Sequence, residues 1–374
     1  MSQGIAKPSD TPAVAAAVTP LLPWLEAPLA QALSTQRGHA LLIHGAEGVG
    51  QFELALALAA AALCEAAPDA RRAAGQACGA CTGCRLIASR THPDLLVLLP
   101  EVLQQTLGWA SAEEGGESSG SAGKGGTAKP SKEIKVAAVR LAVAFAQQTT
   151  SRGGPKLVVV YPAERMNPIS ANTLLKTLEE PPGSARFILC SAAPMRLLAT
   201  VRSRCQRLAL PVPDPAVARQ WLQGQGVERP DVVLAAAGGQ ALLAMERLAL
   251  GCDALTWLRL PKAVSEGEVA SLATWPLPMV IDALQKICHD ALCCAVGAPP
   301  RYFAPESIRQ LPRDVARLTA CGGRLRQAAR YAEHPWHVPL GIEALVQAVQ
   351  CALRPPTDTT HLREPPRAVA TLKP

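Results

Sequence analysis

The sequence predicts an α/β domain built on a mostly parallel sheet, followed by a small helical unit and a larger all-helical domain. Three observations lead there. Short apolar runs alternate with helical patterns through the first 210 residues, the order expected of a sheet whose strands are joined by helices. The runs are apolar throughout rather than alternating, as strands covered on both faces are. Beyond "LPVPDP" (Leu210–Pro215) only helical patterns follow.

In order, the chain begins with "MSQGIAKPSDTPAVAAAVTP", which carries one basic residue and a short apolar patch broken by prolines. This is a poor secretory signal, and residues 1–20 are expected to be a disordered leader. Trp24–Gln36 reads as a helix, Ala40–His44 as the first strand and Gln51–Ala66 as the next helix. Asp94–Leu99, Lys156–Tyr161, Arg186–Cys190 and Arg207–Leu210 read as further strands. Between them lie helical patterns at Ile134–Gln148, Pro168–Glu180 and Met195–Thr200. In the first of these, Ile134, Ala138, Leu141 and Phe145 recur at three- and four-residue spacing and form one apolar face. Ser111–Ser131 is rich in glycine and serine and lacks large apolar residues, so a flexible insertion is expected there.

The core domain is thus expected over 21–210, a small helical unit over 211–252 and a larger helical domain over 253–355. "DVVLAAAGGQALLAMERLAL" reads as two short helices joined at Gly238-Gly239, and Met279–Val296, Asp314–Glu333 and Gly341–Leu353 as later ones. The proline-rich end, 356–374, is expected to be a loose tail.

Composition narrows the function classes. Aromatic residues make up 3% of the 374, so alanine and leucine must build most of the core. No uninterrupted apolar run reaches the roughly 18 residues of a membrane span, and a cytoplasmic protein with no membrane partner is expected. The net charge of +7 is compatible with work near nucleic acid, but no basic run is interleaved with aromatics. Direct base stacking has little support.

Four of the twelve cysteines, Cys64, Cys78, Cys81 and Cys84, are spaced C-x13-C-x2-C-x2-C. Two overlapping C-x2-C turns and a thiol at the end of the preceding helix can surround one tetrahedral Zn²⁺ in a closed, structural site. A redox pair and unliganded thiols are the alternatives. A redox motif needs no third or fourth cysteine, which favours the metal.

"HALLIHGAEGVGQFE" carries the strand–glycine turn–helix setting of a phosphate-binding loop, whose pattern is G-x-x-x-x-G-K-[ST]. Gly45 and Gly50 are in place, but Gln51 replaces the lysine and Phe52 the hydroxyl residue. The second half of such a site, a strand ending in acidic residues, should fall at Tyr161 and Pro162. Glu164 lies two residues further on and is a poor substitute. Both halves are degenerate, so ATP is not expected to be bound productively.

Taken with these features, "THPDLLVL" (Thr91–Leu98), "ISANTLLKTLEEPP" (Ile169–Pro182) and "RLLATVRSRCQRLAL" (Arg196–Leu210) resemble the clamp-loader subunits of bacterial DNA polymerase III, of the AAA+ class. The degenerate P-loop points to the delta-prime branch rather than the ATP-binding gamma/tau branch. The resemblance covers residues 20 to 250 or so and is weak in the C-terminal helices.

It implies an AAA+ core, a helical lid, and a helical collar through which five subunits form a ring with gamma/tau and delta. It further implies that the ring places the sliding clamp on primed DNA within a polymerase, a nucleotidyltransferase as a whole. It also implies that Arg204 of "SRC" points as an arginine finger into a neighbour's ATP site. For Lys176, Glu179 and Glu180, a solvated turn and a ring-interface wall both remain open. A gamma/tau-type ATPase and a zinc-containing nucleic-acid-binding module are the competing functions. His92 is expected to be structural rather than a zinc ligand.

Overall fold

The computed structural model describes residues 21–71, 75–109, 130–311, 314–332, 334 and 337–354. The leader expected over 1–20, nearly all of the insertion expected over 111–131 and the tail expected over 356–374 lie outside the described residues. The chain divides into two compact units, Met1–Trp221 with Gln240–Leu243, and Leu222–Gly239 with Ala244–Pro374. Residues 211–252 are therefore shared between the two units.

The strands β1 (Ala40–Gly45), β2 (Leu95–Leu98), β3 (Leu157–Val160), β4 (Arg186–Ser191) and β5 (Gln206–Leu210) form one sheet in the order β2-β3-β4-β1-β5. Every neighbouring pair is parallel, with Leu42 opposite both Leu189 and Arg207 in the centre. The helices of this unit are α1 (Glu26–Thr35), α2 (Gln51–Leu63), α3 (Thr82–Ala88), α4 (Glu101–Leu107), α5 (Val136–Gln147), α6 (Pro168–Glu179), α7 (Ala199–Ser203) and α8 (Pro215–Gly224). The last runs into the second unit.

The unbroken apolar character of the strands has a direct cause. Leu41, Ile43, Leu157, Val159 and Ile188 join Leu29 of α1 and Leu54 and Leu58 of α2 in one core. The alternate residues Ala40, Leu42, Val158, Val160 and Phe187 join Val139 of α5 and Leu174 of α6 in another. Successive strand side chains point to opposite faces, so a sheet covered on both sides needs apolar residues at every position. Each fully buried valine or leucine contributes about 1.5–3 kcal/mol.

The expected helix at Met195–Thr200 is a correction. A 3₁₀ turn occupies Pro194–Arg196, Leu197 and Leu198 are extended, and α7 begins at Ala199. Leu197 is buried in the core beside α6, and reaching it breaks the helical path.

The second unit is all-helical, with α9 (Pro230–Ala236), α10 (Ala241–Ala249, whose first three residues belong to the first unit), α11 (Ala254–Glu266), α12 (Leu277–Ala295), α13 (Pro305–Ile308), α14 (Val315–Arg330) and α15 (Val338–Ala352). Its core gathers Leu260, Leu284, Ile287, Leu318, Leu325 and Val349 around Trp257, which stacks on Phe303 at 4.5 Å. The architecture is the expected AAA+-type one: a parallel α/β core followed by helices alone. No single described helix is long and apolar enough to cross a membrane.

Candidate functional site

The glycine turn between β1 and α2 keeps its backbone form. Gly48 and Gly50 have φ of 71° and 101°, a left-handed conformation that side chains disfavour. What fills the turn is different. Gln51 is 4% exposed. Its Nε2 donates to the carbonyls of Gly45 (3.1 Å) and Ala46 (2.8 Å), bracing the loop from inside. Trp24 Nε1 donates to the Val49 carbonyl at 2.8 Å. A Cβ on Gly48 would lie 2.7 Å from Leu243 Cβ.

Phe52 stacks on Tyr161 at 4.8 Å with 19° between the rings. The positions that would hold a magnesium hydroxyl ligand and an acid are thus joined as an apolar aromatic pair. Burial pushes the Tyr161 phenol above its usual range. Glu164 Oε1 accepts from the backbone N–H of Ala192 (3.0 Å) and Ala193 (3.2 Å) after β4, while its Oε2 is buried without a hydrogen-bond partner among the described residues.

The four cysteines converge. Their sulfurs all lie within 4.8 Å of one another, with 3.9 Å between Cys64 and Cys81 and 3.9 Å between Cys78 and Cys84. A tetrahedral Zn²⁺ with four sulfurs at about 2.3 Å requires edges of about 3.8 Å, so the cluster fits that ion. Backbone N–H groups of Cys78, Ala80, Cys81 and Cys84 point at the sulfurs at 3.3–3.5 Å. Those donors, from Ala80 first and then Cys81, lower the Cys78 thiol to about 6, which favours the thiolate a metal needs.

Local structure explains the convergence. Cys64 ends α2, where Arg71 donates to its carbonyl at 3.0 Å, and Cys81 caps α3. A Cβ on Gly83 would sit 2.6 Å from the Leu63 carbonyl, so only glycine lets α3 approach the end of α2 this closely.

Arg204 lies at the end of α7 and is partly exposed. Its guanidinium pairs with Glu179 at the end of α6, and Nη1 donates to the Thr200 carbonyl at 2.9 Å. The "LLKTLEEPP" and "SRC" stretches therefore meet through one surface ion pair, while Cys205 turns into the core. Lys176 and Glu180 are exposed near the same helix end.

One arrangement has no counterpart in the sequence-based reading. Asp94 and Lys156 are 0% and 3% exposed and form an ion pair at 3.0 Å. Asp94 also accepts from the N–H groups of Ser151 (2.9 Å) and Arg152 (3.0 Å). Lys156 lies over the Phe145 ring at 4.4 Å. His92 Nδ1 accepts from the Asp94 N–H at 3.0 Å, the structural role expected of it. The available signal was a lysine opening an otherwise apolar strand.

Residues 25–214 match the family described as "DNA polymerase III, delta subunit". The sequence is 38% identical over 229 residues to DNA polymerase III subunit delta-prime of Pseudomonas aeruginosa, covering 60% of each chain. It is 31% identical over 324 residues to the delta-prime subunit of Escherichia coli, covering 79% of this chain and 87% of that one. It is also 29% identical over 196 residues to the tau subunit of Escherichia coli, covering 52% of this chain and 25% of that one.

Proposed function

The chain belongs to the delta-prime family of DNA polymerase III subunits, and from that premise we propose that it is a clamp-loader subunit that does not hydrolyse ATP. In this reading it is a rigid, cytoplasmic member of a five-subunit ring with gamma/tau and delta. The ring places the sliding clamp on primer–template DNA for the holoenzyme's nucleotidyl transfer.

The observation that carries the reading is the Phe52–Tyr161 stack with Gln51 hydrogen-bonded back to its own loop. A P-loop lysine supplies a point charge near the phosphates, worth on the order of 4 kcal/mol at 4 Å and an effective dielectric near 20. A neutral amide already bonded to two carbonyls supplies no such charge. The aromatic pair offers Mg²⁺ no oxygen but a raised phenol.

Arg204 is the residue proposed to act, in trans, on a neighbour's ATP site. Its charge and partial exposure support this, since its bonds to Glu179 and the Thr200 carbonyl lie at the surface and can be exchanged for the γ-phosphate of an adjoining subunit. The four-cysteine cluster is proposed to hold a structural Zn²⁺, in keeping with its edge lengths. The division of the helical region into a lid over 211–252 and a collar over 253–355 is likewise proposed.

The test is equilibrium binding of labelled ATP to the isolated chain, beside ATPase measurements on the reconstituted loader. The expected result is no tight, magnesium-dependent binding by the chain alone. Submicromolar, magnesium-dependent binding would refute the reading and favour a gamma/tau-type ATPase.

A further inference from the structure

A second cluster of metal-ligating side chains lies on α12, outside the site described above. His289, Asp290 and Cys293 have ligand atoms within 4.8 Å of one another. Asp290 is 0% exposed and fully engaged. Its carboxylate accepts from the N–H groups of Arg301 (3.0 Å), Tyr302 (2.7 Å) and Phe303 (2.9 Å). It also takes His289 Nδ1 at 2.9 Å.

That last bond fixes the histidine tautomer. With Nδ1 donating to a buried carboxylate, the lone pair belongs to Nε2. A carboxylate holding the far nitrogen of a histidine is the usual outer partner of a metal-bound imidazole, setting its orientation and raising its basicity. The Tyr302 ring meets the imidazole edge-on at 5.2 Å and restricts it further. Cys293 follows one helical turn later, its sulfur 3.9 Å from Nε2 and 3.7 Å from Nδ1.

We propose that His289 and Cys293 form a second metal site, binding Zn²⁺ through His289 Nε2 and Cys293 Sγ, with solvent water completing the coordination. Zn–N and Zn–S bonds of about 2.05 and 2.3 Å at a tetrahedral angle set the two atoms about 3.6 Å apart. The sulfur now lies beside the ring, so the partly exposed Cys293 side chain turns toward Nε2 as the cation arrives and loses its proton to solvent. Imidazole with thiolate is a donor set that suits Zn²⁺ over Mg²⁺ or Ca²⁺. The His289 side chain is 48% exposed, which leaves the site open. Two protein ligands make this a weaker, exchangeable site than the four-cysteine cluster.

The test is dialysis of the full chain, kept reduced with a phosphine, against excess Zn²⁺, with metal content measured per chain. The expected result is one tightly held equivalent and a second, weaker one. His289→Ala and Cys293→Ser should each weaken the second equivalent about tenfold or more, since a direct ligand outweighs an outer partner worth about 10–100-fold. His289→Gln, which can still donate to Asp290, repeats the measurement with the α12 surface less disturbed. Cys81→Ser should remove the first equivalent and leave the second. A wild-type chain that takes up no second equivalent overturns the proposal. So does a second equivalent that survives either His289→Ala or Cys293→Ser.

Discussion

Rebuilding the phosphate-loop signature by Gln51→Lys with Phe52→Thr should cost stability and restore no ATP binding. Phe52 is 6% exposed and packed in the core that joins β1, β3 and α2. Truncating a buried phenylalanine to a small side chain costs about 3–5 kcal/mol. Loss of the stack on Tyr161 is part of that cost, at about 0.5–1.5 kcal/mol. A lysine at position 51 can still donate to Gly45 and Ala46, but it brings a charge into a buried loop where those partners are neutral carbonyls, and it adds to that cost. A net loss of at least roughly 3–5 kcal/mol corresponds to about 6–20 °C in the melting temperature of a unit this size, at about 2–4 °C per kcal/mol. Calorimetry of the two-unit chain should show it in the transition of the N-terminal unit. Labelled ATP should still bind no tighter than to the wild type, because Tyr161 and Pro162 stand where acids would hold Mg²⁺. A double variant that melts within about 2 °C of the wild type would show that the stack is not structural, again on the scale of about 2–4 °C per kcal/mol. Submicromolar ATP binding by that variant would show that two residues alone disable the site.

In a reconstituted loader, Arg204→Ala should lower ATP turnover, by about 10³-fold or more at the neighbouring site that Arg204 is proposed to complete. The Arg204–Glu179 pair is exposed, so the same variant should lose less than about 1 kcal/mol of stability and assemble normally, as size-exclusion chromatography would reveal. Lys156→Ala strands the buried Asp94 carboxylate and should destabilise the chain by about 3–5 kcal/mol in denaturant titrations. Burial opposes ionisation of Asp94, yet the N–H of Ser151, Lys156 and the N–H of Arg152 hold its pKa below the ordinary 3.8. Its stabilisation is therefore full above about pH 4 and lost as pH falls through the lower folded value. The wild type should show an acid-limb loss that Asp94→Asn lacks. Metal analysis of the purified chain should find zinc held by the four cysteines. Chelation or Cys81→Ser should remove that equivalent and lower the melting temperature.

All five strands and most of the amphipathic helices were legible in the sequence, because unbroken apolar runs and three- to four-residue periodicity report burial locally, whereas α8, α11 and α13 were not placed individually. The five strands fall within about two residues of where the pattern put them. The sequence also picked out the cysteines that converge in the fold, since the spacing of Cys78, Cys81 and Cys84 is itself the geometry of the turn. The seven-residue helices α3 and α4 are too short to leave a clear period and were not legible, and Met195–Thr200 read as one helix because burial of Leu197 is a tertiary fact.

What occupies the positions of the phosphate-loop ligands was settled in three dimensions. Phe52 and Tyr161 are 109 positions apart, and only parallel pairing of β1, β4 and β3 brings their rings together. The same holds for Arg204 with Glu179 and for Asp94 with Lys156. Each is a long-range contact with no periodic trace along the chain, set by which strand or helix ends lie side by side.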